Sequence, residues 1–148
     1  MCDYVANPSK LDQQICFEVY KAAGKFSKLY ARALEPFDLT FTQYLVLLAL
    51  WEKDSLLIKD IGIRLELGIG TLNPLITRME DRGWIVKEQS ETDRRATIIS
   101  LTEKARVNEK PIERAIIEKI ISCNFMDINT ETLMTNLKNL NAFLGQLV

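Results

Sequence analysis

The sequence predicts a mainly α chain that carries one small β-hairpin. Three observations point that way. Apolar residues recur at steps of three and four along most of the 148 residues, two short helical stretches meet at a glycine-containing turn near the middle, and after Gly83 the apolar period changes from helical to alternating. A chain of this length buries about two-thirds of its unfolded surface, so it needs neither disulfide nor metal to hold a core.

The first helix is expected over about 11–35. Ile15, Val19, Ala22, Phe26, Leu29 and Ala33 fall on one face, Cys16, Tyr20, Ala23 and Tyr30 on a second, and Pro36 stops it. Two such faces imply two partners. In LTFTQYLVLLALWEK, Thr40 and Gln43 have the spacing of a capping box ahead of a nearly all-apolar run, which predicts a buried central helix from about Phe41 to Trp51. LLIKDIGIRLEL reads as a short amphipathic helix with Ile58, Ile61 and Leu65 inward, ending at Gly68. The next helix, GTLNPLITRMEDRG, opens at Gly70 and Thr71 and places Leu72, Leu75, Ile76 and Met79 on one face. It holds Pro74 in its first turn, where a missing N–H costs least, and stops at Gly83.

WIVKEQS and ATIISLT then alternate on either side of a polar tip, SETDRR. Two short helices joined by a tight turn, the second with polar and basic residues outward, fit a helix-turn-helix; the plainer reading is a helical hairpin. A charged hairpin directly behind them completes the order of a winged-helix domain, here over about 39–103. From Thr102 to Val148 the chain reads as helical throughout. Ile112, Ile116, Ile117, Ile120 and Ile121 form one run, and Leu133, Leu137, Leu140, Leu144 and Leu147 form a seam at alternating steps of four and three. The terminal helices, about 11–35 and 104–148, offer more apolar face than so small a head covers. A symmetric homodimer of a single domain, 1–148, is therefore expected.

Composition narrows the chemistry. With no histidine, the chain cannot assemble Ser-His-Asp, Cys-His or His-containing zinc sites by itself. The expectation is a protein that is not an enzyme and takes no metal or cofactor. Nineteen Lys and Arg balance twenty Asp and Glu, so long-range steering toward phosphate is weak and any DNA binding rests on local placement of charge. The longest uncharged stretch, Leu39 to Trp51, falls short of the ~20 apolar residues of a membrane span. MCDYVANPSK lacks an apolar signal core, so a cytoplasmic location is expected, with Cys2, Cys16 and Cys123 as thiols.

Four strings in order, QQICFEVY (13–20), LTFTQYLVLLALWE (39–52), GTLNPLITRMEDRGWI (70–85) and TDRRATIISLTE (92–103), resemble the MarR family of winged-helix transcriptional regulators. Within it the similarity is to the organic-hydroperoxide-sensing OhrR subgroup and its SarZ- and MgrA-like relatives, and it runs from Leu11 into the C-terminal helix. The resemblance implies a homodimeric repressor of a double-stranded, inverted-repeat operator. It implies that Arg95 of Asp93-Arg94-Arg95 enters the minor groove while Asp93 helps hold it. The plain reading of that tripeptide is a solvated turn. It also makes the helix from Gly70 the recognition helix, with Thr71 and Asn73 for bases or phosphate and Arg78 for phosphate. Here the relatives' Asp-Ser-Gly-Thr-Leu-Thr-Pro appears as Gly68-Ile69-Gly70-Thr71-Leu72-Asn73-Pro74, which implies a different operator sequence.

The same resemblance places Cys16 at the peroxide-reactive cysteine. Its thiolate would attack the O–O bond of an organic hydroperoxide and become sulfenic acid. Tyr20 lies one turn along, able to donate to a thiolate. Tyr30 is 14 residues away, about 21 Å along a straight helix, and matches the tyrosine that a partner subunit lends. A further tyrosine of the family is Phe41 here, and Thr42 replaces a proline. Cys123 lies near the position of a resolving cysteine in some members, with a mixed disulfide to a low-molecular-weight thiol as another end point. Each cysteine also reads simply as a small buried hydrophobe. Other readings stay open: a MarR-type regulator governed by a small ligand in the dimer cleft, a thiol peroxidase using Cys16 and Cys123, and a winged helix used only for protein contacts.

Overall fold

The computed structural model describes residues 9–122 and 127–148. They form six α-helices, a short 3-10 turn and one three-stranded antiparallel sheet. The chain divides into two compact units, Met1–Ile116 and Ile117–Val148.

Helix α2 (Phe41–Glu52) is the centre of the first unit, with Val46, Leu47 and Leu50 fully buried. Its start is the expected capping box: Gln43 N donates to Thr40 Oγ1 (3.2 Å) and Thr40 N donates to Gln43 Oε1 (3.1 Å). That reciprocal pair satisfies Gln43, the buried polar residue of the described core. Helix α1 (Ile15–Leu34) begins four residues later than the expected Leu11, because Gln14 holds extended backbone and Leu11–Gln13 form a turn. Pro36 does stop α1, inside the 3-10 turn Glu35–Phe37, which ends on Asp38 in the left-handed region (φ 54°).

A two-residue strand, β1 (Leu56–Leu57), precedes α3 (Ile58–Leu65). The apolar pattern of LLIKDIGIRLEL predicts both leucines in the helix; they pair instead with β3, Leu56 opposite Ile99 and Leu57 opposite Ile98. Helix α3 ends at Leu65 rather than Gly68, since Glu66 takes the left-handed cap and donates its N–H to Gly62 and Ile63. Gly68 is instead the N-cap of α4 (Ile69–Asp81), which therefore opens at Ile69 rather than at Gly70 and Thr71. Pro74 is then its sixth residue, beyond the first turn. The missing N–H is the one that would have bonded the Gly70 carbonyl. The close approach of α3 to α4 requires Gly62, where a Cβ would lie 3.1 Å from the Leu67 carbonyl and 3.3 Å from Leu72.

Leu72, Ile76 and Met79 bury the inner face of α4, and Leu75 is half-buried, as expected. Gly83 (φ 79°) turns the chain into β2 (Ile85–Gln89), which pairs with β3 (Thr97–Leu101) from Ile85↔Leu101 to Gln89↔Thr97. Asp54 fastens the sheet, accepting from Leu101 N (2.9 Å) and from Ser55 N (2.7 Å). Thr102 caps α5 (Glu103–Ser122), its hydroxyl donating to the Gly83 carbonyl (2.6 Å) and accepting from Ala105 N (3.3 Å). Trp51 Nε1 donates to the Ala105 carbonyl (3.1 Å), tying α2 to α5.

The helical stretch expected from Thr102 to Val148 holds two helices, α5 and a second one. The second, α6 (Thr130–Leu147), starts afresh where the Asn129 side chain accepts from Thr132 N (2.9 Å). Ile112 and Ile116 are buried and Ile117 is exposed, while Leu133, Leu137, Leu144 and Leu147 all remain exposed on α6. Among the described residues no helix is long and apolar enough to cross a membrane.

Candidate nucleic-acid interface and thiol site

The helix-turn-helix is α3 and α4, and β2 and β3 form the wing behind it. Burying Leu72, Ile76 and Met79 turns the opposite side of α4 to solvent. At 100° per residue Gly70, Pro74 and Thr77 occupy the centre of that side, with Arg78 beside them. Thr71 and Arg78, two turns apart, share one strip; Asn73 lies roughly 160° around the axis from Thr71, on the other flank. The three expected contact residues thus border the exposed face rather than form one cluster. All three are exposed, and among the described residues none of their side chains has a hydrogen-bonding or ionic partner. Thr77 is engaged by Lys87 Nζ (3.3 Å), which also pairs with Glu80 (3.6 Å).

The wing tip is a closed turn. Asp93 Oδ1 accepts from Arg95 N (3.0 Å), the Asp93 carbonyl accepts from Ala96 N (3.0 Å), Ser90 N donates to the Ala96 carbonyl (2.9 Å), and Gln89 Nε2 donates to the Arg94 carbonyl. Asp93 therefore holds the backbone of Arg95, not its guanidinium. The side chains of Arg94 and Arg95 are exposed and without ionic partners among the described residues. A cleft of about 250 Å³ at the foot of the wing is lined by Lys59, Asp93, Arg95 and Thr97 among others.

Two residues that sequence reasoning missed belong to this face. Ile69, the first residue of α4, is 56% exposed. Its signal was available: it continues the 72/76/79 stripe at a spacing of three and seven but is the first residue of the helix, where the stripe runs past the core. Arg82, just past α4, donates from Nη1 to the Asp38 carbonyl (2.9 Å) and pairs with its carboxylate (3.5 Å), while its own carbonyl accepts from Lys104 Nζ (2.8 Å). It joins the end of α4 to the turn after α1 and to the start of α5. No local pattern marks it, because Asp38 is 44 residues away in sequence.

Cys16 is the second residue of α1 and exposed. It lies in the first turn, where backbone N–H groups lack helical acceptors and favour a nearby anion. Tyr20, one turn on, is 74% exposed. Lys21, the nearby cation, is committed to Glu18 (2.7 Å) and to the Phe17 ring (4.4 Å). Tyr30 does not share this site: it stacks on Phe41 (ring centroids 4.9 Å) and Tyr44 (5.9 Å), far along α1. Burial raises the Tyr30 phenol above its ordinary value. The Tyr44 phenol is raised by burial first, then by Tyr30 and Glu113. Cys2 and Cys123 lie outside the described residues. The N-terminal part of α1 leaves Ile15, Val19, Tyr20 and Phe26 exposed on the single chain.

Comparison with known proteins agrees with this architecture. Residues 28–112 match the family described as transcriptional regulator SarA/Rot. The organic hydroperoxide resistance transcriptional regulator of Bacillus subtilis is 42% identical over 105 residues, covering 70% of this chain and 71% of that protein. The regulator SarZ of Staphylococcus aureus is 34% identical over 136 residues, 92% of this chain and 91% of SarZ. The regulator TtmR of Methylorubrum extorquens is 46% identical over 100 residues, and the chain spans about half its length, 51%. Among solved structures, reduced AbfR bound to DNA superposes with a TM-score of 0.83 at 32% identity, covering 90% of this chain and 92% of that one; AbfR is a protein of Staphylococcus epidermidis. Overoxidized AbfR bound to DNA gives 0.74, and the disulfide-formed protein 0.63. The match over most of the head, together with relatives above 30% identity across nearly the whole chain, establishes that this protein belongs to the SarA/Rot family of MarR-like winged-helix regulators and is a DNA-binding transcriptional regulator.

Proposed function

We propose that the protein is a homodimeric repressor, a single functional domain over 1–148, that binds an inverted-repeat operator and releases it when Cys16 is oxidised by an organic hydroperoxide. The observation that carries the reading is Cys16 itself: an exposed thiol in the first turn of a long helix whose surrounding apolar surface is open. Apolar area of this kind is normally covered, and a second α1 would cover it. In the proposed dimer Tyr30 serves the partner's thiolate, since its own Cys16 is about 21 Å away along the helix.

The chemistry balances simply. The thiolate attacks one peroxide oxygen, the O–O bond breaks, the alkoxide leaves and takes a proton, and sulfur loses two electrons to become sulfenic acid. A second thiol, Cys123 of the partner subunit or a low-molecular-weight thiol, then displaces water and forms a disulfide. Support comes from AbfR, for which reduced, overoxidized and disulfide forms are known, and from the hydroperoxide resistance regulator. At operator DNA, α4 contributes Thr71, Asn73 and Arg78, and the wing contributes Arg94 and Arg95, with Asp93 shaping the turn.

A second reading has an observation behind it. A cleft of about 230 Å³ lined by Tyr44, Leu48, Trp51, Glu109 and Glu113 between α2 and α5 suits control by a small ligand. One experiment separates the two: anisotropy of an operator duplex from beside its own gene, at fixed salt, before and after one equivalent of organic hydroperoxide, with Cys16→Ser alongside. Release by the wild type and retention by Cys16→Ser is the expected result. Indifference of both proteins to peroxide would leave Cys16 a packing residue and turn attention to the cleft.

A further inference from the structure

Ile69 opens α4 and keeps 56% of its surface exposed. It lies on the same side of the helix as Leu72 and Ile76, three and seven residues on, but as the first residue it extends past the core that buries Leu72, Ile76 and Met79. Its chain neighbours are Gly68 and Gly70, and a Cβ added at either would meet nothing within 4 Å. The leading end of the helix therefore presents one partly exposed branched aliphatic side chain flanked by two glycines, with Thr71 exposed in the same turn and Asn73 in the next. In a helix-turn-helix, the N-terminal residues of the second helix are the ones that reach base edges. A branched aliphatic group has no hydrogen bond to offer there. The base-edge feature in the major groove that it complements is the thymine C5-methyl group.

We propose that Ile69 packs against a thymine methyl in each operator half-site and is a specificity-determining residue of this regulator. The proposal rests on the reading of α4 as the helix that enters the major groove. It explains why an apolar residue is kept in the open, where a polar one would otherwise be favoured by water. It also gives this chain a preference that Asn73 cannot supply, because an amide does not distinguish thymine by its methyl as an aliphatic surface does.

The test uses the full chain and a duplex selected by it from a randomised library. Each thymine of that duplex is replaced singly by deoxyuridine, which deletes the methyl and keeps every hydrogen-bonding atom. The expected result is one thymine per half-site whose replacement weakens wild-type binding about fourfold, the worth of one buried methyl group. Ile69→Ser loses that sensitivity, and Ile69→Val keeps most of it. Because Ile69 is exposed, the thermal melt of Ile69→Ser should match the wild type. Should Ile69→Ser not bind, the sensitivity must still fall in the order Ile69, Ile69→Val, Ile69→Ala on the same duplex. A selected duplex with no sensitive thymine, or with equal sensitivity in all variants, overturns the role of Ile69 alone. Failure to select any duplex overturns the assignment of α4 as well.

Discussion

Asp93 sets two effects against each other, and their sizes predict an order of affinities. Its carboxylate accepts from Arg95 N at 3.0 Å and so shapes the wing tip, yet it is also an exposed negative charge on the surface proposed to meet phosphate. A hydrogen bond of this kind contributes about 1 kcal/mol net, roughly fivefold in an equilibrium. A carboxylate about 8 Å from a phosphate repels it by about 0.5 kcal/mol in water. Ionic screening with a Debye length of about 8 Å cuts that to roughly 0.2 kcal/mol, so that even two phosphates amount to about a factor of two. The hydrogen bond wins. Asp93→Asn keeps an acceptor and loses the charge, so it should bind operator up to about twofold more tightly than the wild type. Asp93→Ala loses both and should bind about two- to threefold more weakly, hence about fivefold more weakly than Asp93→Asn. Anisotropy with a labelled operator at 0.15 M salt reads all three. The comparison between the two neutral variants is the decisive one. Equal affinities for Asp93→Asn and Asp93→Ala would show that the turn does not depend on the Asp93–Arg95 bond, and the argument for a pre-shaped wing would fail.

Other outcomes follow from the same geometry. Arg78→Ala should weaken operator and non-operator DNA alike and lower the slope of log affinity against log salt by about 0.9, as loss of one phosphate contact does; an unchanged slope would remove Arg78 from the interface. Thr40→Ala removes the hydroxyl that accepts from the Gln43 N–H, and should cost about 1 kcal/mol. In a differential scanning melt that is roughly 3 to 6 °C, and an unchanged melt would mean another acceptor takes the Gln43 N–H. The raised phenols of Tyr30 and Tyr44 favour the protonated form in the fold. Their stabilising contribution is complete below the ordinary tyrosine value of about 10 and is lost as pH rises through the folded values. Stability should therefore fall in that alkaline window and fall less in Tyr44→Phe; identical alkaline profiles for the two proteins would contradict the burial.

Much of this fold was legible because its signals are local. The capping box of α2, the apolar stripe of α4 and the alternation of the wing strands are each set by residues within one or two turns of one another. What escaped was decided at a distance or by too few residues. Strand β1 is two leucines long, too short to show a period, and exists because β3 offers it a partner. The end of α3 at Glu66 rather than at a glycine depends on a non-glycine residue accepting left-handed backbone, which propensity argues against. Of the candidate site, Thr71, Asn73, Arg78, Arg94 and Arg95 are proposed from the sequence, which does not show that Thr71, Asn73 and Arg78 border the exposed face of α4 rather than cluster on it. Cys16 is likewise a candidate named from the sequence, which does not show that the helix begins one residue before it. The link from Arg82 to Asp38 was illegible because tertiary folding alone brings them together.

The central strand has a consequence for how this regulator can change its target. β3 is bonded on one edge to β1, which runs straight into α3, and on the other to β2, which follows directly from α4. Helix α4 and the wing are thereby held in one frame, and the spacing between the bases proposed to meet the helix and the groove proposed to meet the wing tip is built into the sheet. On the proposed reading, exchanging side chains on α4 alters which letters are read, and altering the helices outside the head alters how far apart the two heads of the proposed dimer stand. The phase between the two readings within one half-site can shift only if the ladder itself is rebuilt.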